Sequence, residues 1–260
     1  MITKKLIILI IAVLFLCFPT IRAIEQTDSI AVLNTCPSTR FNIKQLILPG
    51  TLIAVGASSL FFSPMKDLDK SIQKDLTDLR GNHHRIKLDE YLRYVPTAIN
   101  ISLTIAGKKA KYNTTDRLLI KATSIVSMYI LTQGLKHSIN RTRPDGSDSH
   151  SFPSGHTAGA FLGAESLRQN YGNWWGLAGY TAATATAFLR LYNNRHWLGD
   201  VISGAGIGIL SAHIGYWLLP FEKRILGLDK KRDTNDKSIL ALPTYNPSNK
   251  TYGLALAIQF

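Results

Sequence analysis

This chain of 260 residues is poor in cysteine, and its acidic residues are well outnumbered by its basic ones. Its 2 cysteines are Cys17 and Cys36. Cys17 falls in a segment that reads as a secretory signal, with Lys4 and Lys5 as the basic start, Leu6–Phe18 as the apolar stretch and Ile21-Arg22-Ala23 as a candidate cleavage site. A cut there leaves Cys36 alone, which excludes an internal disulfide and suits an inert surface or interface cysteine. Leu16 precedes Cys17 where a lipoprotein signal needs a small residue, which excludes lipidation. Residues 6–18 fall short of the ~20 that a membrane span needs. Ile21 is a poor residue two before a cut, so residues 1–23 are a signal peptide or an uncleaved N-terminal anchor.

The shortage of acid leaves 30 Lys and Arg against 17 Asp and Glu, a net charge of +13. Such a balance suits either nucleic acid or an anionic membrane surface and substrate. No nucleic-acid-binding motif is recognisable, and the hydrophobic residues, 45% of the chain, fall in long blocks. The expected partners are therefore a membrane and an anionic lipid, not nucleic acid, and the length fits one domain.

Residues 24–43 read as a polar exported arm. Lys44–Phe62 is an apolar helix of marginal spanning length, interrupted by Pro49-Gly50 and stopped by Pro64. The charged stretch Lys66–Arg93 carries Leu68, Ile72, Leu76 and Leu79 at helical spacing, as an amphipathic interfacial helix would. His83-His84 lie there with nothing nearby to complete a metal-ligand set, and a solvated loop is favoured. Helices are expected over Tyr94–Gly107, Leu118–His137 (capped by Thr114, Thr115 or Asp116), His156–Arg168, Trp174–Leu191 and Asp200–Leu219, the last ended by Pro220. Gly204, Gly206 and Gly208 suit close packing, and His213 reads as a bundle-facing structural histidine. After a basic linker come two strand-like runs around Asn246-Pro247-Ser248-Asn249. The fold class expected is all-α, a polytopic membrane bundle of about five or six membrane helices with a short C-terminal β-hairpin. The segments are 1–23, 24–89, a helical core over 90–221, and 222–260.

Three clusters carry the chemistry: Lys136…Arg143-Pro144, Pro153-Ser154-Gly155-His156, and Arg190…His196…Asp200. Lys136 and Arg143 can turn on one anion, Arg143 as a planar fork and Lys136 as a point charge. Ser154 caps the next helix, whose free N–H groups favour an anion, and Gly155 admits close approach. His196 and Asp200, four apart, are neighbours on a helix surface. The carboxylate can hold the proton on one ring nitrogen and leave the other nucleophilic. That inventory suits attack on phosphorus by His196, with Asp200 orienting it and His156 as acid, then base. Lys136, Arg143, Arg190, Ser154 and the Gly155 N–H hold the equatorial oxygens. No metal or other cofactor is called for, because the cations neutralise the phosphate.

The spacing resembles the type 2 phosphatidic acid phosphatase family, which shares its site with bacterial class A acid phosphatases and vanadium haloperoxidases. The family pattern runs Lys, six residues, Arg-Pro; then Pro-Ser-Gly-His; then Ser-Arg, five residues, His, three residues, Asp. Lys136–Pro144 and Pro153–His156 match throughout, as do Arg190, His196 and Asp200, whereas Leu189 replaces the usual serine. The resemblance implies a phosphohistidine mechanism, an all-helical membrane core and metal independence, with a phosphorylated lipid as substrate.

The signal-bearing form looks like Gram-negative members that dephosphorylate lipid A or undecaprenyl diphosphate, and lipid A is the preferred substrate. A lipid phosphoryl or head-group transferase, a haloperoxidase and a catalytically silent membrane scaffold are the alternatives. The basic turn Lys108-Lys109-Ala110-Lys111 and the basic stretch 222–232 suit the cytoplasmic side. The expected location is the bacterial inner membrane, multi-pass, with the active site facing the periplasm. In that orientation, with an exported N-terminus, Lys44–Phe62 cannot cross.

Overall fold

The computed structural model describes residues 41–81 and 84–228, and the backbone of 238–246 and 251–259. The expected signal, the exported arm up to residue 40, Cys17, Cys36, His83, 229–237 and the 247–250 turn lie outside the described residues. Eight helices are present among them: α1 (Lys44–Ser58), α2 (Ser63–Arg80), α3 (Asp89–Leu92), α4 (Val95–Ile105), α5 (Thr114–Ile139), α6 (Gly155–Tyr171), α7 (Asn173–Tyr192) and α8 (Leu198–Ile225). The chain divides into two units, Met1–Leu219 and Pro220–Phe260. In the second, strands β1 (Ser238–Asn246) and β2 (Thr251–Gln259) pair antiparallel, Ser238 opposite Gln259 and Asn246 opposite Thr251.

Proline behaves differently from expectation at three places. Pro49 lies inside α1, which does not break there, and Pro220 lies inside α8, which continues to Ile225. A proline forfeits one hydrogen bond and crowds the preceding turn, which a helix end or lipid-facing bend can tolerate. Pro64 starts α2 instead of stopping α1, sitting in the first turn where no N–H is needed. Helices α1 and α2 meet at a bend of 85°. The cap of α5 is Asn113, not a residue of 114–116: its side chain accepts from the Asp116 N–H at 2.7 Å.

Among the described residues two helices, α5 and α8, are long and apolar enough to cross a membrane, or three spans if α1 and α2 count as one broken span. Helix α4, at 11 residues, is shorter than a span, and the charged pair Glu165 and Arg168 interrupts α6.

The core lies where α6, α7 and α8 meet, filled by Ala160, Phe161, Ala164, Ala183, Leu191, Val201, Ala205 and Ile209. Small residues let these backbones close together. A Cβ on Gly204 would sit 2.6 Å from the Ser154 carbonyl oxygen, and one on Gly208 would sit 2.2 Å from that of Ala158. The glycine row of α8 therefore sets the start of α6 directly against α8. Gly204→Ala is expected to lower stability by about 1–3 kcal/mol through overpacking. Gly159→Ala, where a Cβ meets nothing within 4 Å, is expected to raise it slightly by helix propensity. Thermal unfolding of the detergent-solubilised variants reads both signs.

A polar cluster closes the other end of this core. Buried Glu165 accepts from Arg168 at 2.6 and 2.8 Å and from the Tyr180 hydroxyl at 2.7 Å. His213 is buried 3.5 Å from Glu165, with its ring stacked on Trp217, which gives it the structural place expected of it.

Candidate active site

The three sequence clusters converge at the end of the bundle where α5 finishes and α6 and α8 begin. Lys136, in the last turn of α5, donates to the His150 carbonyl at 2.5 Å. Asn140, in the left-handed region (φ 46°), then turns the chain into the 141–153 loop. Arg143 donates from Nε to Asp148 at 2.7 Å and from Nη1 to the Arg195 carbonyl at 3.3 Å, tying the first cluster to the third. Ser154 caps α6, its Oγ 3.5 Å from the Thr157 N–H and 2.9 Å from the Thr157 hydroxyl, and its own N–H donates to the Asp200 carbonyl at 3.0 Å. Gly155 has open space where a Cβ would stand. His156 follows, half-buried in the first turn of α6.

His196 is 1% exposed, in the short loop between α7 and α8. Its Nδ1 lies 2.8 Å from the Ser151 carbonyl and 3.7 Å from the Asp200 carboxylate. A carbonyl only accepts, so Nδ1 carries the proton and Nε2 keeps its lone pair. Asp200 stands behind this pair and is held by Ser151 Oγ at 2.5 Å, Arg141 at 2.7 Å and the Trp197 N–H at 2.9 Å. The expected partnership of His196 and Asp200 is thus shared: Ser151 sets the tautomer and the carboxylate supplies charge.

Arg190, in the last turn of α7, is buried and pairs with Asp89 at 2.7 Å, while its Nε has no partner. Asp89 also takes Asn193 at 3.2 Å. Arg93 lies four residues after Asp89, hence on the same face, and its buried Nε is also unpartnered. Buried donors without acceptors call for one, and two such guanidinium edges fit an oxyanion.

Burial, reinforced by the Arg190 and Arg93 cations, pushes His156 down to about 3. Burial likewise pushes His196 down to about 4, although Asp200 pulls it back up. Both rings are therefore neutral near pH 7. In the unfolded chain they titrate near 6.5. Between pH 6.5 and 4 the unfolded state takes up protons that the folded state refuses, so stability falls as pH drops through that window. For His196 the loss is on the order of 3 kcal/mol. Thermal midpoints measured from pH 7 to pH 4 should fall less steeply for His196→Gln than for the parent.

Sequence reasoning missed Arg141, Asp69, Ser151, Asp89 and Arg93. Arg141, in the loop after α5, bridges Asp69 at 2.5 Å and Asp200 at 2.7 Å and reaches Ser59 Oγ at 3.1 Å. Asp69 belongs to the charged segment expected to face the interface, yet it is 2% exposed. Ser151 and Asp89 carried no motif. The one sequence sign was the apolar spacing of α2, because Asp69 stands three residues before Ile72 and seven before Leu76, on the same helix face.

The PAP2 superfamily model matches residues 117–224. Over those residues the chain is similar to the PAP2 superfamily. All three clusters lie within the matched residues, whereas Asp69, Asp89 and Arg93 lie outside them. A curated relative, the lipid A 1-phosphatase of Porphyromonas gingivalis, is 36% identical over 172 residues, 65% of this chain and 38% of that protein. The chain thus spans about two fifths of that relative's length. Two crystal structures are also similar. LpxE from Aquifex aeolicus is 23% identical over 60% of this chain and 96% of its own, with a TM-score of 0.44. The transmembrane PAP2-type phosphatidylglycerolphosphate phosphatase from Bacillus subtilis is 21% identical over 72% and 98%, with a TM-score of 0.46.

Proposed function

We propose that this chain is a membrane lipid phosphatase that hydrolyses a phosphomonoester of lipid A through a phosphohistidine. The observation that carries the proposal is His196 Nδ1 lying 2.8 Å from the Ser151 carbonyl, which leaves Nε2 free beside Lys136, Arg143 and Arg190, in residues similar to the PAP2 superfamily. Nε2 attacks phosphorus in line, forming the P–N bond as the P–O bond to the sugar breaks. Asp200 stabilises the imidazolium that results. His156 protonates the leaving oxygen, then takes a proton from the water that cleaves the P–N bond and releases inorganic phosphate. Lys136, Arg143, Arg190, Arg93, Ser154 and the Gly155 N–H hold the equatorial oxygens. The same guanidinium charges hold His156 down in the empty site, and a bound phosphate dianion offsets them, so the acid becomes protonated only with substrate in place. The reaction needs no metal, since cationic side chains neutralise the developing charge.

We place the chain in the bacterial inner membrane, multi-pass, with the site facing the periplasm. The basic turn at Lys108–Lys111 supports this, because it lies at the opposite end of α5 from Lys136. Five or six spans, and a terminal hairpin as a separate appendage, belong to this proposal.

The test is phosphate release in EDTA by the detergent-purified chain, from lipid A, undecaprenyl diphosphate and phosphatidic acid. Release from lipid A above the others is the expected result. Release mainly from undecaprenyl diphosphate would move the substrate, and no release from any would overturn the phosphatase reading. His156→Ala should slow esters of poor leaving groups most; equal losses across leaving groups would remove its acid role.

A further inference from the structure

A second cavity opens between α4, α5 and α6, well away from the catalytic groups. It encloses roughly 280 Å³ and is lined by Ile101, Ile105, Leu118 and Ile120 with the two cations Arg117 and Lys121. Lys121 precedes Lys136 by fifteen residues on α5, about 22 Å at 1.5 Å per residue. In a bilayer whose apolar core is about 30 Å thick, that separation sets the two sites toward opposite faces.

The two cations have no acidic counterpart in the cavity. Arg117 donates to the Thr104 hydroxyl at 2.7 Å and the Tyr171 hydroxyl at 2.8 Å, and its Nε is buried without a partner. Lys121 donates to the Thr97 hydroxyl at 3.1 Å. No Asp or Glu is among the residues lining the cavity. Neutral hydroxyls solvate a cation without compensating its charge, and ionisable groups at this depth need a counter-charge. At four-residue spacing the two head groups rise from one helix face, close enough for the several oxygens of one phosphate to accept from both. The apolar walls beside them fit a hydrocarbon chain.

We propose that this cavity binds an anionic phospholipid, its phosphate on Arg117 and Lys121 and one acyl chain against Ile101, Ile105 and Leu118. A zwitterionic headgroup would bring a second cation to a site that offers no carboxylate to receive it. The occupant is therefore a phosphodiester lipid of net negative charge, distinct from a phosphomonoester substrate.

Phosphatidylglycerol is the probe, since its phosphodiester has no terminal phosphate for the catalytic site to remove. Added to the full chain in detergent at about ten times its Kd, it is expected to raise the thermal midpoint by roughly 3–6 °C, and phosphatidylcholine is expected not to. Lys121→Met and Arg117→Gln, made singly, should each lose most of that shift, while Lys121→Arg keeps it. Equal shifts from the two lipids, or an undiminished shift in both neutral variants, would overturn the site. Should a neutral variant not fold, native mass spectrometry of the parent decides: retention of phosphatidylglycerol but not phosphatidylcholine supports the site, and equal retention rejects it. Phosphate release from lipid A by Lys121→Met reports separately on the catalytic proposal, and it should match the parent.

Discussion

His196→Ala is expected to lower phosphate release by at least about 10⁴-fold, as loss of a covalent nucleophile does elsewhere. The size follows from the absence of a substitute. His156 sits half-buried in the first turn of α6, and the acid role proposed for it in the first step leaves it no lone pair to attack with. The fold should persist, because the substitution leaves only the Ser151 carbonyl and one face of Asp200 short of a partner. Two readouts separate chemistry from collapse. Rapid alkaline quench of the parent with radiolabelled substrate should trap an acid-labile protein-bound phosphate that His196→Ala lacks. The thermal midpoint of the variant should lie within a few degrees of the parent. Residual turnover above about a tenth would mean that His196 is not the nucleophile.

The three clusters of the candidate site were legible in the sequence because the spacing within each cluster is local. Seven residues from Lys136 to Arg143 cover a helix end and a loop; four from His196 to Asp200, expected on one helix surface, instead run from the α7–α8 loop into the first turn of α8. What held the clusters in place was not legible, because those partners are distant in the chain. Asp69 meets Arg141 across 72 residues, and Asp89 meets Arg190 across 101. Asp69 was read with its charged neighbours, although its spacing from Ile72 and Leu76 turns it inward on α2; nothing local names the partner it finds there. Helices were foreseen better than their ends. Asn113 outcompeted the threonines as cap, and Pro64, expected as a stop, began the next helix. Proline signals a boundary only where its missing N–H would have been used.

The second large effect is expected at Arg141, which no motif singled out. Arg141→Met should destabilise the protein by about 3–5 kcal/mol, because it leaves two buried carboxylates without their shared cation. Asp69 is 2% exposed and Asp200 fully buried, and they meet the guanidinium at 2.5 and 2.7 Å. Arg141→Lys should recover little, since a point charge cannot fork between two acceptors and Ser59 Oγ as well. The same geometry revises what is expected of Asp200→Asn, which sequence alone would treat as harmless to the fold. An amide keeps an acceptor for Ser151 and Trp197 but gives up the charge facing Arg141, so a stability loss of about 1–3 kcal/mol should accompany its loss of rate. The pairings make the claim separable from simple packing damage. If Arg141 acts by neutralising Asp69, then Asp69→Asn should cost less in the Arg141→Met background than in the parent, with a coupling above about 1 kcal/mol. Additive losses would reduce Arg141 to a packing residue. A coupled loss that leaves the pH dependence of turnover unchanged would confine its role to the scaffold, because an Asp200 freed from Arg141 must alter the proton affinity of His196.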